Sequence, residues 1–263
     1  MYRGIRQMYF SEFSAKEKRG ITCYLIAEAI LFLLIQWAET TQPYEVTGRV
    51  MYAAIVLNSL VIYYFYSRYR GDARVPLAIM ITLVADYYLT YRNRFFETGV
   101  AWFILVQLVY AWRTGINLFG IIFRLFCFLL YFALLAYLGM DRVQALLCAL
   151  SMGILTGNVV YGWKNVKKRE GHPMDPDFLL ALGLTLFAGC DLSLGLRNVM
   201  EDYMVSSGGD LIPYMIIYYV MYYLTWICYL PSQVLLVLSY LRSVPADRKG
   251  DILKKKNPED ETP

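Results

Sequence analysis

The chain has 263 residues, 58% of them hydrophobic and 17% charged, with a net charge of +4 and a mean hydropathy of +0.42. A soluble domain of this length breaks its apolar runs with charge. Here several runs reach the roughly 20 residues that cross a bilayer, which places the chain among membrane proteins. Its basic residues are divided among short segments flanking those runs, which argues against a nucleic-acid partner.

Residues 1–20 form a basic arm. The apolar runs predict eight spans, at about 21–38, 50–66, 74–91, 98–113, 117–138, 142–163, 177–196 and 211–241. No cleavable leader is expected, because the first run is not followed by a small-residue cleavage site. The first span carries Glu28 at its middle, and the second carries Asn58 and ends in Tyr63, Tyr64 and Tyr66. Tyrosines at span ends read as interfacial anchors. The third span carries Asp86, with Thr82 and Thr90 on the same face. The fourth carries Gly99, Phe103, Gln107 and Tyr110, which fall within an arc of about 80° at 100° per residue. The fifth holds Arg124 and the seventh Asp191. The eighth contains Pro231, expected to kink it, and a stripe of Tyr222, Trp226, Tyr229 and Gln233. From 243 to 263 the chain is polar and reads as a disordered tail.

Nineteen of the 25 Lys and Arg flank one side of these spans, five flank the other, and Arg124 lies within a span. Basic residues favour the cytoplasmic side, so both termini are expected there, in agreement with an even number of spans. The predicted fold is thus an all-α polytopic membrane bundle, with one eight-helix domain over 21–242. Such a chain belongs in a bacterial cytoplasmic membrane or the eukaryotic endoplasmic reticulum. All five cysteines fall within spans and are expected to be free thiols. The single histidine, His172, lies in a loop, so no histidine-rich metal site is expected.

The two intramembrane aspartates are the most informative residues. A carboxylate in hydrocarbon costs at least ~2.5 kcal/mol, so it is kept for a function or a buried partner. Asp86 and Asp191 each lie six residues before an arginine, Arg92 and Arg197. Both should therefore sit about 9 Å inside one membrane boundary, as two carboxyls of one site. Polar stripes in a membrane bundle face other helices or a cavity, because lipid offers them no partner. Gln107 and Gln233 taken alone read as glue between helices. Glu28 reads either as a third cavity group or as a structural partner for Arg124. Spans three and four faintly echo seven and eight, as a parallel repeat would.

In these residues the chain resembles the YhhN-type lysoplasmalogenase family. The family pattern is an Asp followed on the next helix by Phe-x-x-Gly-x-x-x-Phe-x-x-x-His-x-x-Tyr. It is matched by Asp86, then Phe96, Gly99, Phe103, Gln107 and Tyr110. Phe187 with Asp191, and Tyr229 with Gln233, match the motifs of the seventh and last helices. Each motif alone is weak; three in order on the expected helices are more specific. Two departures stand out: Gln107 replaces the family histidine, and Asn58 stands on a span where the family often has Lys-Pro.

The resemblance implies hydrolysis of the vinyl ether bond of a lysoplasmalogen to a fatty aldehyde and a glycerophospho-head group, without metal or organic cofactor. Two carboxyls suit that chemistry. One protonates the alkene and the other, ionised, faces the oxocarbenium-like cation, as in glycoside hydrolysis. Asp86 and Asp191 are the expected catalytic pair, sharing a proton as a unit. Gln107, Tyr110, Phe103, Tyr229, Gln233 and Glu28 are expected to meet a lysophospholipid substrate drawn from the membrane. The alternatives are an enzyme of the same fold acting on another lysolipid, and a non-enzymatic lipid or proton-coupled carrier, since paired intramembrane acids also suit proton transfer.

Overall fold

A computed structural model describes the backbone at residues 13–41, 44–91, 95–168, 175–207 and 212–256. Among these residues there are eight helices and no strand. They are α1 (Ala15–Thr41), α2 (Tyr44–Tyr69), α3 (Arg74–Tyr91), α4 (Phe96–Thr114), α5 (Leu118–Tyr137), α6 (Arg142–Lys168), α7 (Pro176–Ser207) and α8 (Ile212–Lys256). Six of them are long and apolar enough to cross a membrane: α1, α2, α5, α6, α7 and α8. The other two, α3 and α4, are only 18 and 19 residues long. Glu97, Gln107 and Arg113 further lower the apolar character of α4.

Two helices extend beyond the apolar runs read from the sequence. Helix α1 starts at Ala15 rather than near 21, because Ser14 and Glu17 form a reciprocal capping box. Ser14 N donates to Glu17 Oε2 at 2.8 Å, and Glu17 N donates to Ser14 Oγ at 3.3 Å. At the other end, helix α8 continues to Lys256. Helix α4 ends at Gly115, whose φ of +105° a residue with a side chain rarely adopts.

The helices pack as an antiparallel bundle with α8 at its centre. Helix α8 lies against α7 along much of its length and also touches α1, α2 and α3, while α4 joins α3 to α6. Helix α5 has one substantial neighbour, α6. It turns Phe119, Ile122, Phe126 and Leu130 outward, as a lipid-facing helix would. The core contains Ile55, Ile62, Ile79, Phe187, Leu184 and Leu236, each at most 1% exposed.

Candidate functional site

The acid pair is assembled from helices far apart in sequence. Asp86 on α3 is 3% exposed, and Tyr229 on α8 is 4% exposed. The Tyr229 hydroxyl donates a hydrogen bond to Asp86 Oδ2. Asp191 on α7 is half-buried and lies within electrostatic range of both Asp86 and Tyr229. Two thiols, Cys190 and Cys228, are buried beside this group. All five cysteines are free, as their places within spans predict.

Side-chain contacts fix the level of each acid. The Arg113–Asp177 ion pair (3.0 Å) and the Phe103–Phe187 ring contact (5.5 Å) set the antiparallel register of α4 and α7. Counting from either contact, Gly99 comes level with Asp191. Gly99 in turn lies against α3: a Cβ there would meet Leu89 Cγ at 2.6 Å and the Ala85 carbonyl at 3.4 Å. Asp86, Gly99 and Asp191 therefore occupy one level, as the matching spacings to Arg92 and Arg197 imply. Arg92 itself lies outside the described residues. The side wall is aromatic, with Phe187 packed 5.5 Å from Phe103 and 6.0 Å from Tyr229.

Gln107 lies two turns along α4 from Gly99, about 12 Å further in. It is fully buried and belongs to a second polar group. Asn158 Nδ2 donates to the Gln107 carbonyl at 2.8 Å and to Gln107 Oε1 at 3.2 Å. Asn158 Oδ1 accepts from Arg124 Nη2 at 2.9 Å. The structure thus ties Gln107 to α6 and α5. Tyr110 and Gln233 are also buried. Among the described residues, the Tyr110 hydroxyl and the Nε2 atoms of Gln107 and Gln233 have no hydrogen-bond partner. On the other two stripes, Thr82 is buried and bonds its own helix at Ala78 O, while Tyr222 and Trp226 are only half-buried. The Thr90 side chain lies outside the described residues.

Glu28 corrects two expectations. It does not pair with Arg124: it is 3% exposed, and neither carboxylate oxygen has a hydrogen-bond partner among the described residues. Arg124 reaches Asn158 instead because α5 packs on α6, whereas α1 packs on α2 and α8. Nor does Glu28 lie deeper than the aspartates. The Tyr24–Asn58 hydrogen bond sets the register of α1 on α2, and the Tyr52–Tyr87 ring contact (6.2 Å) that of α2 on α3. Those registers place Glu28 level with Ala54 and Ala54 level with Ala85.

Two partners escaped the sequence reading, Asn158 and the Tyr24–Asn58 pair. Asn158 meets the same criterion that singled out the aspartates, a polar residue inside an apolar run. Among the described residues no group of three or more His, Cys, Asp or Glu is placed to hold a metal ion. The chain matches no family model, no curated protein and no solved structure.

Proposed function

We propose that the chain is an intramembrane lipid hydrolase that cleaves the vinyl ether of a lysoplasmalogen, with Asp86 and Asp191 as its acid–base pair. The observation that carries the reading is the pair itself. Two carboxyls from α3 and α7 share one level, beside an aromatic wall and without a cationic partner among the described residues. The residue pattern shared with YhhN-type lysoplasmalogenases supports the choice of substrate.

Asp86 accepts a hydrogen bond from Tyr229, which suits the ionised member of the pair. Asp191 is then the proton donor. Its proton passes to the β-carbon of the vinyl ether, leaving an oxocarbenium-like cation that faces Asp86. Water adds to the carbon bonded to oxygen and gives its proton to a carboxylate. The hemiacetal collapses, the glycerol oxygen leaves with a proton, and the aldehyde is released. Each step is general acid–base chemistry that needs only positioned carboxyls.

The structure gives a reason to keep the second enzyme reading, the same pair acting on another lysolipid. Gln107 stands where the resembled family has a titratable histidine, and it is engaged by Asn158. The test is to incubate purified protein in detergent with lysoplasmalogen and with an acyl lysolipid, following aldehyde and fatty acid separately. Aldehyde from the first supports the vinyl ether reading. Fatty acid from the second alone would redirect it, and no product from either would leave the acids to a carrier.

The same proposal places eight spans in the membrane, α3 and α4 included, with both termini cytoplasmic. Single cysteines introduced at positions 5, 208 and 255 test it. Position 208 should label in intact cells, and the other two only after permeabilisation.

A further inference from the structure

Arg124 is buried, at 8% exposure, and no carboxylate pairs with it among the described residues. Its Nη2 is engaged by Asn158, while Nε and Nη1 have no hydrogen-bond partner among the described residues. A buried guanidinium without an anion is strongly unfavourable, so the fold must hold it there for a reason. The backbone is shaped around it. A Cβ on Gly157 would stand 2.3 Å from Arg124 Cγ, and one on Gly120 would stand 2.9 Å from Nη1. Glycine at both positions lets the side chain fold back toward the start of α5, with Nη1 over the first turn.

That first turn is itself electropositive. Helix α5 has 20 residues, and its N-cap Asn117 accepts from Gly120 N at 2.7 Å. Its remaining early amides add the partial positive charge of a helix N-terminus. On α6, Tyr161 donates to Asn117 Oδ1 at 3.2 Å, and its ring lies under Arg124 at 5.1 Å and under Lys164 at 5.4 Å. Lys164 is exposed, with no acid partner among the described residues. Arg124 lies six residues, about 9 Å, into its helix, and a folded-back arginine spans most of that distance. The guanidinium thus reaches the basic end of the bundle, where lipid headgroups lie.

We infer that the seam between α5 and α6, where Arg124, the N-terminus of α5 and Lys164 converge, is a binding site for a phosphate group. Phosphate supplies the anion that Arg124 lacks, and its oxygens accept from Nη1, from the first-turn amides and from the lysine. The site lies about four turns of α4 from the level of the acid pair, because Asn165, next to Lys164, donates to the Thr114 carbonyl, and it is built by other helices. It stands whether or not the acids catalyse hydrolysis.

The test uses purified full-length protein in neutral detergent, read by melting temperature and by lipid retention in native mass spectrometry. The probes are dioleoyl phosphatidic acid, dioleoylglycerol, which has the same chains without phosphate, and inorganic phosphate. Phosphatidic acid should raise the melting temperature and be retained, and dioleoylglycerol should do neither. Arg124→Gln should weaken retention about tenfold, the loss expected for one charge-assisted hydrogen bond. Lys164→Gln, an exposed change that leaves packing intact, should weaken it about threefold and keeps the test open if Arg124→Gln fails to fold. Displacement of the lipid by millimolar inorganic phosphate would assign the site to free phosphate. Retention despite inorganic phosphate would assign it to a lipid headgroup. Equal binding of the two lipids, or wild-type retention of phosphatidic acid by Lys164→Gln together with any folded Arg124→Gln, overturns the site.

Discussion

Acids at the basic rim of the bundle and acids in its interior are treated in opposite ways. At the rim, Glu17 caps α1, accepts from Tyr69 and sits 3.1 Å from Arg68 Nε. Asp72 accepts from Arg74 Nε and Nη2, both at 2.7 Å, and lies 3.3 Å from Arg113 Nε. Arg113 continues to Asp177 at 3.0 Å, so one network ties the α2–α3 turn to α4 and α7. In the interior, Glu28, Asp86 and Asp191 have no arginine or lysine within ion-pair distance among the described residues. The chain pairs acids with cations where water is near, and leaves them unpaired where an ion pair would matter most. That contrast is what the proposed acid–base pair rests on.

The sharpest way to break this contrast is to neutralise the interior pair. Asp86→Asn and Asp191→Asn should each lower aldehyde release from lysoplasmalogen by ~10²–10⁴, with the protein still folded and membrane-inserted. Turnover near wild type in both variants would return the aspartates to a structural role. Next in size is Tyr229→Phe, which removes the hydrogen bond to Asp86. About tenfold slower turnover at unchanged melting temperature is the expected result, and an unchanged rate would show that Asp86 needs no orienting partner.

The rim should respond in stability instead. Asp72→Asn is expected to cost about 1–3 kcal/mol, read as a lower melting temperature with little change in turnover. Its pH dependence sharpens the point. Burial alone would raise the Asp72 pKa, but the hydrogen bonds and charge of Arg74, with the charge of Arg113, outweigh it and hold the carboxyl below its usual range. Its stabilisation is therefore complete above about pH 4 and is lost as pH falls through the depressed folded value. Wild type should lose stability across that acid window, and Asp72→Asn should lose less. An equal acid slope in the two proteins would remove the Asp72 network from the account.

The smallest effect belongs to Glu28→Gln. An unpartnered buried carboxyl is a burden on the fold, so its neutral isostere should raise stability, by on the order of 1 kcal/mol in thermal melts. A clear loss would reveal a partner that binds the carboxylate in the membrane.

Much of this contrast is visible in the sequence, for a physical reason. An Asp inside a run such as that around Asp191 is anomalous wherever it points, so Asp86 and Asp191 stand out without a structure. Equal spacing to Arg92 and Arg197 also puts them at one depth. Partnership is harder to read. Tyr229 lies 143 residues from Asp86, and only the packing of α8 against α3 brings them together. Arg124 and Glu28 suggested a pair because their charges are complementary, but charge says nothing about which helices touch. The same blindness hid Asn158, whose role comes from lying between α4 and α5. The early start of α1 was within reach, since Ser14-x-x-Glu17 is a local signal that the apolar count overrode.

The two helices outside the six that are long and apolar enough to cross a membrane among the described residues, α3 and α4, carry Asp86 and Gln107. Insertion machinery sorts each segment by its own transfer free energy, and an aspartate adds a penalty on that scale. If eight spans cross the membrane as proposed, α1 and α2 can partition as they emerge, whereas the α3–α4 hairpin would depend on neighbours synthesised later. Tyr229, which caps the Asp86 carboxylate, is made near the end of the chain. Nascent chains halted before α7 should hold the hairpin in the membrane inefficiently, and chains extended through α8 should hold it fully. The residues best suited to chemistry would then be the last to settle, and quality control would act on the site before it could act on substrate.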